Sequence, residues 1–450
     1  MSAGIRIKRG ANINLKGTAK KVIQEAKPAK TYALKPDNFF GTVPRLMVKE
    51  GESVAQGAPV FHDKKDPRVL FVSPVSGTIK EIRRGAKRKI LEIVIEPQTG
   101  KAITHKIPTG SSIDRKAIVA LLLNSGAWPF IKQRPYGILA DPDLTPKAIY
   151  VSTFASAPLD VEFAFLLKNQ KENFQKGIEI LNHLVDAPVV LSVESDFPDF
   201  FQEVKGVELL PVKGPHPAGN VSVQMHRHNP LNMGEKAWEV RPEDVANIGS
   251  LFNTGQFFAR RTLAVAGSSV TYPHYIISRI GAAIDSICSL TGIDNSRQNR
   301  YINGDVFTGV AVSPEGHLDF YNNLLTVIPE GKQYRMFGWL PFVDNKVPSL
   351  SNTSLSWLFG RSGYEVNTNL NGEERAFVVT GEMEKVFPMD IYPMQLLKAC
   401  MAGDIEKMEA LGIYEVLPED FGLIDYANTS KIEAQQIIRE GIELMIKEVG

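Results

Sequence analysis

Apolar positions near the start of the chain come in short runs that alternate with glycine turns. The stretch over residues 38–97 reads GTVPRLMVKEGESVAQGAPVFHD and then, further on, FVSPVSGTIKEIRRGAKRKILEIVIEP. Short strands with turn signals at regular spacing predict a small sandwich or barrel. The two halves form a quasi-repeat, as in biotinyl and lipoyl carrier folds. We therefore expect a β barrel-sandwich hybrid within an N-terminal region of residues 1–105.

The pattern changes in residues 106–255, where apolar strands alternate with amphipathic helices. SIDRKAIVALLLNSG predicts a helix that begins near Asp114 and ends near Gly126. KAIYVST, APVVLSVES and VELLPVK predict buried strands, and EFAFLLKNQKENFQKGIEILNHL has helical spacing. This alternation predicts a Rossmann-like, doubly wound parallel α/β domain. Ligands of such sheets bind beyond the carboxyl ends of the strands, which places the loops at 153–160 and 214–220 at that edge.

The remaining chain divides into a mixed part and a helical part. Over 256–385, RTLAVAG, HYIISRI and DVFTGVAV predict strands and GAAIDSICSL predicts a helix, an order that suits a β-grasp (SLBB-like) domain. Short aromatic strands such as YRMFGWLPF predict an insertion in it. Residues 386–450 predict a C-terminal helical domain. The predicted fold class is thus α/β multidomain.

Composition narrows the class of protein. The 450 residues are 43% hydrophobic and 22% charged, as in soluble globular proteins, and the formal net charge of +1 gives no general attraction to nucleic acid. Apolar runs fall short of the roughly 18 to 20 residues that span a bilayer, and the basic N-terminus has no apolar segment of a secretory signal. Two cysteines without a CxxC motif exclude a four-thiolate iron–sulfur cluster or a Cys-rich zinc site in this chain alone, and they favour the cytoplasm.

Motifs for phosphate and metal binding are weak. Neither GxGxxG after a strand nor GxxxxGK[ST] occurs, and the two prolines of GPHPAGN remove donors that a phosphate needs, so a turn is favoured there. MHRHNP places His226 and His228 two apart, which on a strand would present both rings on one face, near His216 in sequence. A metal site and a packing or partner contact are the two interpretations, and packing is favoured.

Two lysine-containing turns are either plain solvent-exposed turns or functional sites. IKEIRRGAKRK (79–89) predicts a basic hairpin that is either a solvated turn or a docking surface for anionic lipid headgroups or an acidic partner. Lys64 and Lys65 lie in HDKKDP, where carrier folds present a modifiable lysine, although a plain solvated turn is favoured.

SGAWPFIKQRPYG (125–137) concentrates aromatic rings and cations in a glycine-bounded, proline-stiffened stretch. Trp128, Phe130 and Tyr136 stand among Lys132 and Arg134. Such residues suit a flat, electron-poor ring or its oxygens, while packing against a core is the favoured alternative.

Long motifs in a fixed order resemble a known family. FHDKKDPRVLFVSPVSGTIKEIRRGAKR, WPFIKQRPYG, GPHPAGNVSVQMHRHNPL, IGSLFNTGQFFARRTLAVAGSSV, NGDVFTGVAV and VFPMDIYPMQLLKACMAGD are similar to segments of the A subunit of the sodium-translocating NADH:quinone reductase. The resemblance implies kinship with the C subunit of Rnf complexes and with the NADH-binding flavoprotein subunit of complex I. Those relatives carry a glycine-rich flavin loop and cysteine clusters. Here bulky residues replace the glycines, and of the two cysteines only Cys400 lies near the C-terminus, where the relatives have those clusters.

The resemblance therefore implies a subunit without cofactors of its own. NAD, FAD, FMN and iron–sulfur centres would belong to partner subunits of a complex that couples NADH oxidation and quinone reduction to sodium export, with ubiquinone or menaquinone as substrate. The chain would lie peripherally at the cytoplasmic face of the bacterial inner membrane, beside the membrane-embedded B subunit and the other subunits. It would help to shape the quinone end, with no catalytic residue and no metal site.

The resemblance directs attention to DNFFG (37–41) and WPFIKQRPYG (128–137) as the quinone-site or partner-contact segments. Ring contacts are expected from aromatic residues and a donor to a quinone oxygen from an arginine. The candidates are Phe39, Phe40, Trp128, Phe130, Arg134 and Tyr136. Two alternatives are a free-standing flavin- or NAD-dependent oxidoreductase, favoured by the doubly wound domain, and a biotinyl or lipoyl carrier module.

Overall fold

The computed structural model describes residues 4–110, 113–196, 199–332, 348–350, 356 and 363–450. Within these residues the strands form sheets of seven, six, four and three strands. The mixture of sheets and helices confirms the α/β class. The aromatic stretch YRMFGWLPF, predicted as short strands, lies outside the described residues.

The N-terminal barrel-sandwich hybrid is confirmed as two small antiparallel sheets. The strands are β3 (Tyr32–Leu34), β4 (Pro44–Leu46), β5 (Ser53–Val54), β6 (Pro59–Asp63), β7 (Leu70–Val72), β8 (Gly77–Arg84) and β9 (Ile90–Pro97). One sheet has the order β3-β9-β8-β5 and the other β4-β6-β7. Their buried faces meet in an apolar core that includes Val60, Phe61, Phe71, Ile79 and Ile93.

The seven-stranded sheet confirms the doubly wound α/β prediction, with an antiparallel edge added. The strands are β1 (Ile5–Arg6), β10 (Ile131–Arg134), β11 (Ile138–Leu139), β12 (Ile149–Ser152), β13 (Val189–Glu194), β14 (Glu208–Lys213) and β15 (Ala237–Val240). Their order is β1-β14-β13-β12-β15-β10-β11, parallel from β1 to β15 and antiparallel at β10 and β11.

Helices lie on both faces of this sheet. Those of this part of the chain are α1 (Arg115–Ser125), α2 (Phe163–Leu166), α3 (Lys171–Leu184), α4 (Asp199–Gln202), α5 (Val221–His228) and α6 (Pro242–Thr254). Side chains of the central strands alternate between two cores, as the two-residue repeat of a strand requires. Ile149 and Val151 belong to one apolar cluster with α1, α3 and α6, and Tyr150 belongs to a second cluster with α5 and the C-terminal helices.

The ends of α1 lie where the sequence predicts them. The Asp114 carboxylate accepts from the Ala117 N–H at 2.8 Å, and Gly126 adopts a left-handed φ of 74°. The helical spacing over 162–184 corresponds to two helices, because a turn separates α2 from α3 and Gln170 leaves the helical region at φ −125°.

The third part of the chain builds a six-stranded sheet. Its elements are β2 (Lys20–Glu25), β16 (Arg260–Ala266), β17 (His274–Arg279), α7 (Ile284–Thr291), β18 (Asn299–Asn303), β19 (Val310–Val312) and β20 (Leu324–Pro329). The strand order is β19-β18-β20-β16-β17-β2. Of DVFTGVAV, only Val310–Val312 is a strand, because Asp305 instead accepts from the backbone N–H groups of Phe307 and Thr308 and forms a turn.

Helices follow in the C-terminal part, as the sequence predicts. They are α8 (Glu382–Val386), α9 (Pro393–Ala402), α10 (Ile405–Ala410), α11 (Gly422–Ala427) and α12 (Ala434–Glu448). They pack their apolar faces onto the face of the seven-stranded sheet that carries Tyr150, Val190 and Leu210.

The first residues of the chain join three sheets. Ile5 of β1 pairs with Val212 of β14, and Ile23 of β2 pairs with Tyr275 of β17, before β3 enters the barrel-sandwich hybrid. The N-terminal segment thus links parts of the molecule that are distant in sequence.

Candidate functional site

The aromatic rings of the segment 128–137 lie inside the protein. Trp128 is fully buried, donates from its indole Nε1 to the Ala140 carbonyl at 2.7 Å and meets Trp238 edge-on. Phe130 is buried and stacks on Phe257 with ring centroids 5.7 Å apart. Tyr136 is 3% exposed and faces the ring of Tyr414. These contacts agree with the packing interpretation of the segment.

Arg134 is held in a buried ion-pair cluster. Its guanidinium donates to Glu239 Oε2 at 2.6 Å, to Glu419 Oε1 at 3.0 Å and to Ser222 Oγ at 2.6 Å. Burial opposes the charge, but the carboxylates of Glu239 and Glu419 outweigh it and raise the pKa of Arg134. The arginine predicted to donate to a ligand thus makes these bonds to protein groups in this structure.

Phe39 and Phe40 are adjacent but differ in surroundings. Phe39 is 2% exposed and packs among aromatic rings, with the Phe71 centroid at 4.3 Å. Phe40 is half-buried, and the guanidinium of Arg439 on α12 lies 4.0 Å from its ring centroid. Of the six predicted residues, Phe40 is the one whose side chain is half-buried rather than buried.

A cavity of about 400 Å³ lies beside Phe40. We call it the Phe40 groove; the barrel-sandwich hybrid forms one side and α12 the other. Its wall is mainly apolar, with one ion pair at the rim between Lys89 Nζ and Asp37 Oδ2, 2.8 Å apart. The lining includes Phe39, Phe40, Val43, Ile90, Glu443 and Ile446. An apolar wall with a few charged groups is typical of sites for small organic rings.

The histidine pair lies at the end of a helix and not on a strand, so the geometry that would present both rings on one face does not occur. MHRH ends helix α5, where residues two apart point to different sides. The His226 ring lies 2.8 Å from Glu415 Oε2 and accepts from the Asp390 N–H, while His228 contacts Tyr150 and Glu208. Each ring has its own protein partners, which agrees with the packing interpretation.

The two loops expected at the carboxyl edge of the sheet do meet there. Ser156 Oγ lies 3.2 Å from His216 Nδ1, and the Gly219 N–H donates to the same hydroxyl at 2.8 Å. The loops border a cavity of about 150 Å³, which we call the carboxyl-edge cavity. Asp305 and Glu419 complete its wall, and sequence reasoning missed both because they come from segments far along the chain.

The basic hairpin between β8 and β9 is exposed at its tip. Arg83 pairs with Glu92 at 2.8 Å, whereas Arg84, Lys87 and Arg88 make no ion pair to any described residue. Lys87 and Arg88 both have left-handed φ angles, 53° and 62°. Its docking to lipid or to an acidic partner stays a prediction.

The described residues contain no group of three or more His, Cys, Asp or Glu side chains arranged to hold a metal ion. Cys288 and Cys400 are separate free thiols, and burial raises their pKa values to about 12 and about 11. Within the same residues, no helix has both the length and the apolar character needed to cross a bilayer.

The fold and these sites define a class: a multidomain α/β chain with a barrel-sandwich hybrid at its start and an SLBB-type domain after the sheet. Three family models match, described as the NqrA N-terminal barrel-sandwich hybrid domain over residues 5–98, the NqrA second alpha/beta domain over 113–257 and the NQRA C-terminal domain over 262–313. The chain belongs to the NqrA family, the A subunits of the Na+-translocating NADH-quinone reductase.

Curated relatives named as this A subunit match along the full length. The one from Vibrio atlanticus is 32% identical over 449 residues, covering 99% of this chain and 100% of the relative. Those of Rhodopirellula baltica and Vibrio anguillarum are 32% and 33% identical and cover 98% and 99% of this chain, and 98% and 100% of their own lengths. The family membership replaces the two alternatives, a free-standing oxidoreductase and a carrier module.

Proposed function

We propose that this chain is the peripheral A subunit of a complex that oxidises NADH, reduces ubiquinone or menaquinone and exports sodium. The observation that carries the proposal is the match to relatives named as that subunit over 99% of this chain. The chain would supply no redox centre, with NAD, FAD, FMN and iron–sulfur clusters in partner subunits. Two separate cysteines, both with raised pKa values, support this part of the proposal.

The chain would dock at the cytoplasmic face of the inner membrane on the B subunit and its neighbours. Affinity capture of the tagged chain after mild detergent extraction should bring down membrane subunits that carry attached flavin. Isolation of the chain alone, as an enzyme with its own chromophore, would contradict the proposal.

The Phe40 groove is our candidate for the quinone head-group or partner contact. Its apolar wall would cover a flat ring. The guanidinium of Arg439 lies over the Phe40 ring that borders the groove. Phe39 forms the inner wall of the groove. Trp128, Phe130, Arg134 and Tyr136 would act indirectly, since their side chains are buried in this structure.

We predict that Phe40→Ala in the assembled complex raises the KM for quinone several-fold and leaves reduction of the NADH-side flavin unchanged. The side chain removed borders the groove and is half-buried rather than buried. Tyr272→Ala, which removes a ring that is 70% exposed elsewhere, is the matched control.

Phe40→Ala distinguishes a quinone head-group contact in the groove from a contact with a partner subunit. Altered quinone kinetics with intact assembly supports a head-group contact, and loss of membrane subunits from the purified complex supports a partner contact. Unchanged kinetics together with unchanged assembly would remove the Phe40 groove from the proposal.

A further inference from the structure

The carboxyl-edge cavity is lined by two buried polar residues that each present an atom without a protein partner. His216 is 3% exposed and Asn323 is 4% exposed, and neither His216 Nε2 nor Asn323 Oδ1 has a hydrogen-bond partner among the described residues. The Asn323 amide donates to Glu243 at 2.6 Å and to the Thr262 carbonyl at 2.9 Å, which orients it and leaves its oxygen as the free acceptor. Buried polar atoms in proteins nearly always have a partner, and Asn323 Oδ1, as an acceptor, needs one that supplies a donor.

Acceptors and negative charge dominate the wall. Carboxylates outnumber cations there, and the imidazole of His216 is neutral at pH 7 because burial lowers its pKa to about 4. The lining carboxylates are Asp160, Glu239, Asp305 and Glu419. The cations are Arg241 in the wall and three that interact with Glu239 or Glu419, namely Arg134, Lys132 and Arg439; Asp420 is a further acid that interacts with Glu419 and Arg134.

Asp160 is the carboxyl group most affected by this environment. Burial, and after it the nearby Asp305 carboxylate, raise its pKa to about 7, although the Val161 N–H and Arg241 act in the opposite direction. Its Oδ1 atom accepts from the Val161 N–H at 2.8 Å. A cation placed in the cavity would favour the ionised carboxylate.

We propose that the carboxyl-edge cavity binds a small, singly charged organic cation of the ammonium or guanidinium type. The N–H donors of such a cation would meet Asn323 Oδ1 and the carboxylates of Asp160 and Asp305. One positive charge would offset the negative excess of the wall. The loop after β12, the turn at Asp305 and Glu419 come from three parts of the chain, so the ligand would join them.

The volume of the cavity and the arrangement of its side chains favour an organic cation over the other ligands that commonly bind at this edge of a sheet. The volume of about 150 Å³ suits a molecule the size of a few waters and falls below the pockets that hold drug-sized or dinucleotide ligands. A bare metal ion needs converging ligands, and the described residues show no such group of His, Cys, Asp or Glu.

Titration calorimetry on the purified full chain tests the site. The probe is methylguanidinium, and tetramethylammonium is the matched control because it has the same charge and no N–H donors; sodium chloride controls for ionic strength. We expect saturable 1:1 binding of methylguanidinium and at least about tenfold weaker binding of the other two cations. Equal binding of all three, or none by methylguanidinium, would overturn the proposal.

Proton release gives a second readout that is specific to the cavity. Titrations at pH 7 in two buffers of different ionisation enthalpy should show that methylguanidinium binding releases a fraction of a proton, and release should vanish at pH 9, where Asp160 is already ionised. Asp160→Asn should remove most of the release, leaving only what Lys132 and Asp420 contribute, and should weaken binding about tenfold, whereas Asp186→Asn, at an exposed position, should change neither.

Binding without proton release in the parent chain would place the ligand elsewhere and overturn the assignment. If Asp160→Asn does not fold, the parent comparison of methylguanidinium with tetramethylammonium decides alone. Neither result bears on membership of the quinone reductase complex, so the two proposals fail separately.

Discussion

At the scale of single residues, Arg134 shows that one sequence pattern can have two structural interpretations. An arginine among aromatic residues is consistent with a ligand shelf and with packing against a core, and packing is the favoured interpretation here. The partners that distinguish the two, Glu239 and Glu419, lie 105 and 285 residues away in sequence and are joined to Arg134 only by the fold. The sequence could therefore identify the segment but not the direction in which its side chains point.

We predict that Arg134→Ala lowers the free energy of unfolding by about 3 kcal/mol, because it leaves the Glu239 carboxylate, whose side chain is 15% exposed, and the more exposed Glu419 without their partner. Urea denaturation of the purified chain measures this loss. Arg84→Ala, at the exposed tip of the β8–β9 hairpin, should change stability by less than about 0.5 kcal/mol. A loss below about 1 kcal/mol for Arg134→Ala would contradict the structural role given to this cluster.

At the scale of elements, the sequence predicts helices and strands well where apolar residues recur at a clear spacing. It predicts them poorly where every residue of a segment is buried. Helix α1 has both cap signals in its sequence, Asp114 and Gly126, and its ends follow them. His226 and His228 would share a face only on a strand, and they lie on α5. In the structure all five residues from Val221 to Met225 are buried, so the spacing of apolar residues in α5 does not reveal the helix.

Helices α3 and α6 approach each other at glycines. A Cβ atom added at Gly177 would lie 2.0 Å from the Val245 carbonyl oxygen, and one added at Gly249 would lie 1.8 Å from the Asn173 carbonyl oxygen. Such distances are far below contact, so the absence of side chains at these positions sets the separation of the two helices.

We predict that Gly177→Ala destabilises the chain by about 2 kcal/mol or more, although alanine favours a helix by about 1 kcal/mol over glycine. Thermal and urea unfolding measure the effect. Glu179→Ala, at an exposed position of the same helix, controls for helix propensity and should be close to neutral. Stabilisation by Gly177→Ala would show that the helices can separate at no cost.

At the scale of the whole molecule, different helices pack on the two faces of the seven-stranded sheet. α1, α3 and α6 cover one face, as the alternation of strands and helices predicts. α5 and the C-terminal helices cover the other, and this could not be predicted because the C-terminal helices follow long after the last strand of the sheet, β15. The apolar face of each C-terminal helix indicated only that it packs somewhere.

We predict that Leu397→Asp, in α9, increases amide hydrogen exchange in β12, β13 and β14 as well as in the C-terminal helices. Leu397 is fully buried in the cluster that contains Tyr150 and Val190, so a charge there disrupts a core that both parts share. Met401→Asp, at a 61% exposed position of the same helix, should leave exchange unchanged. Faster exchange confined to residues 386–450 would indicate that the helices form an independent core.

The N-terminal strands have a consequence for the order in which the chain matures. β1 leaves the ribosome well before its partner β14 is translated, and the partner of β2 follows later still. Nascent chains in cells therefore expose this leading segment until much of the polypeptide has emerged, and its insertion is a late event that closes the fold.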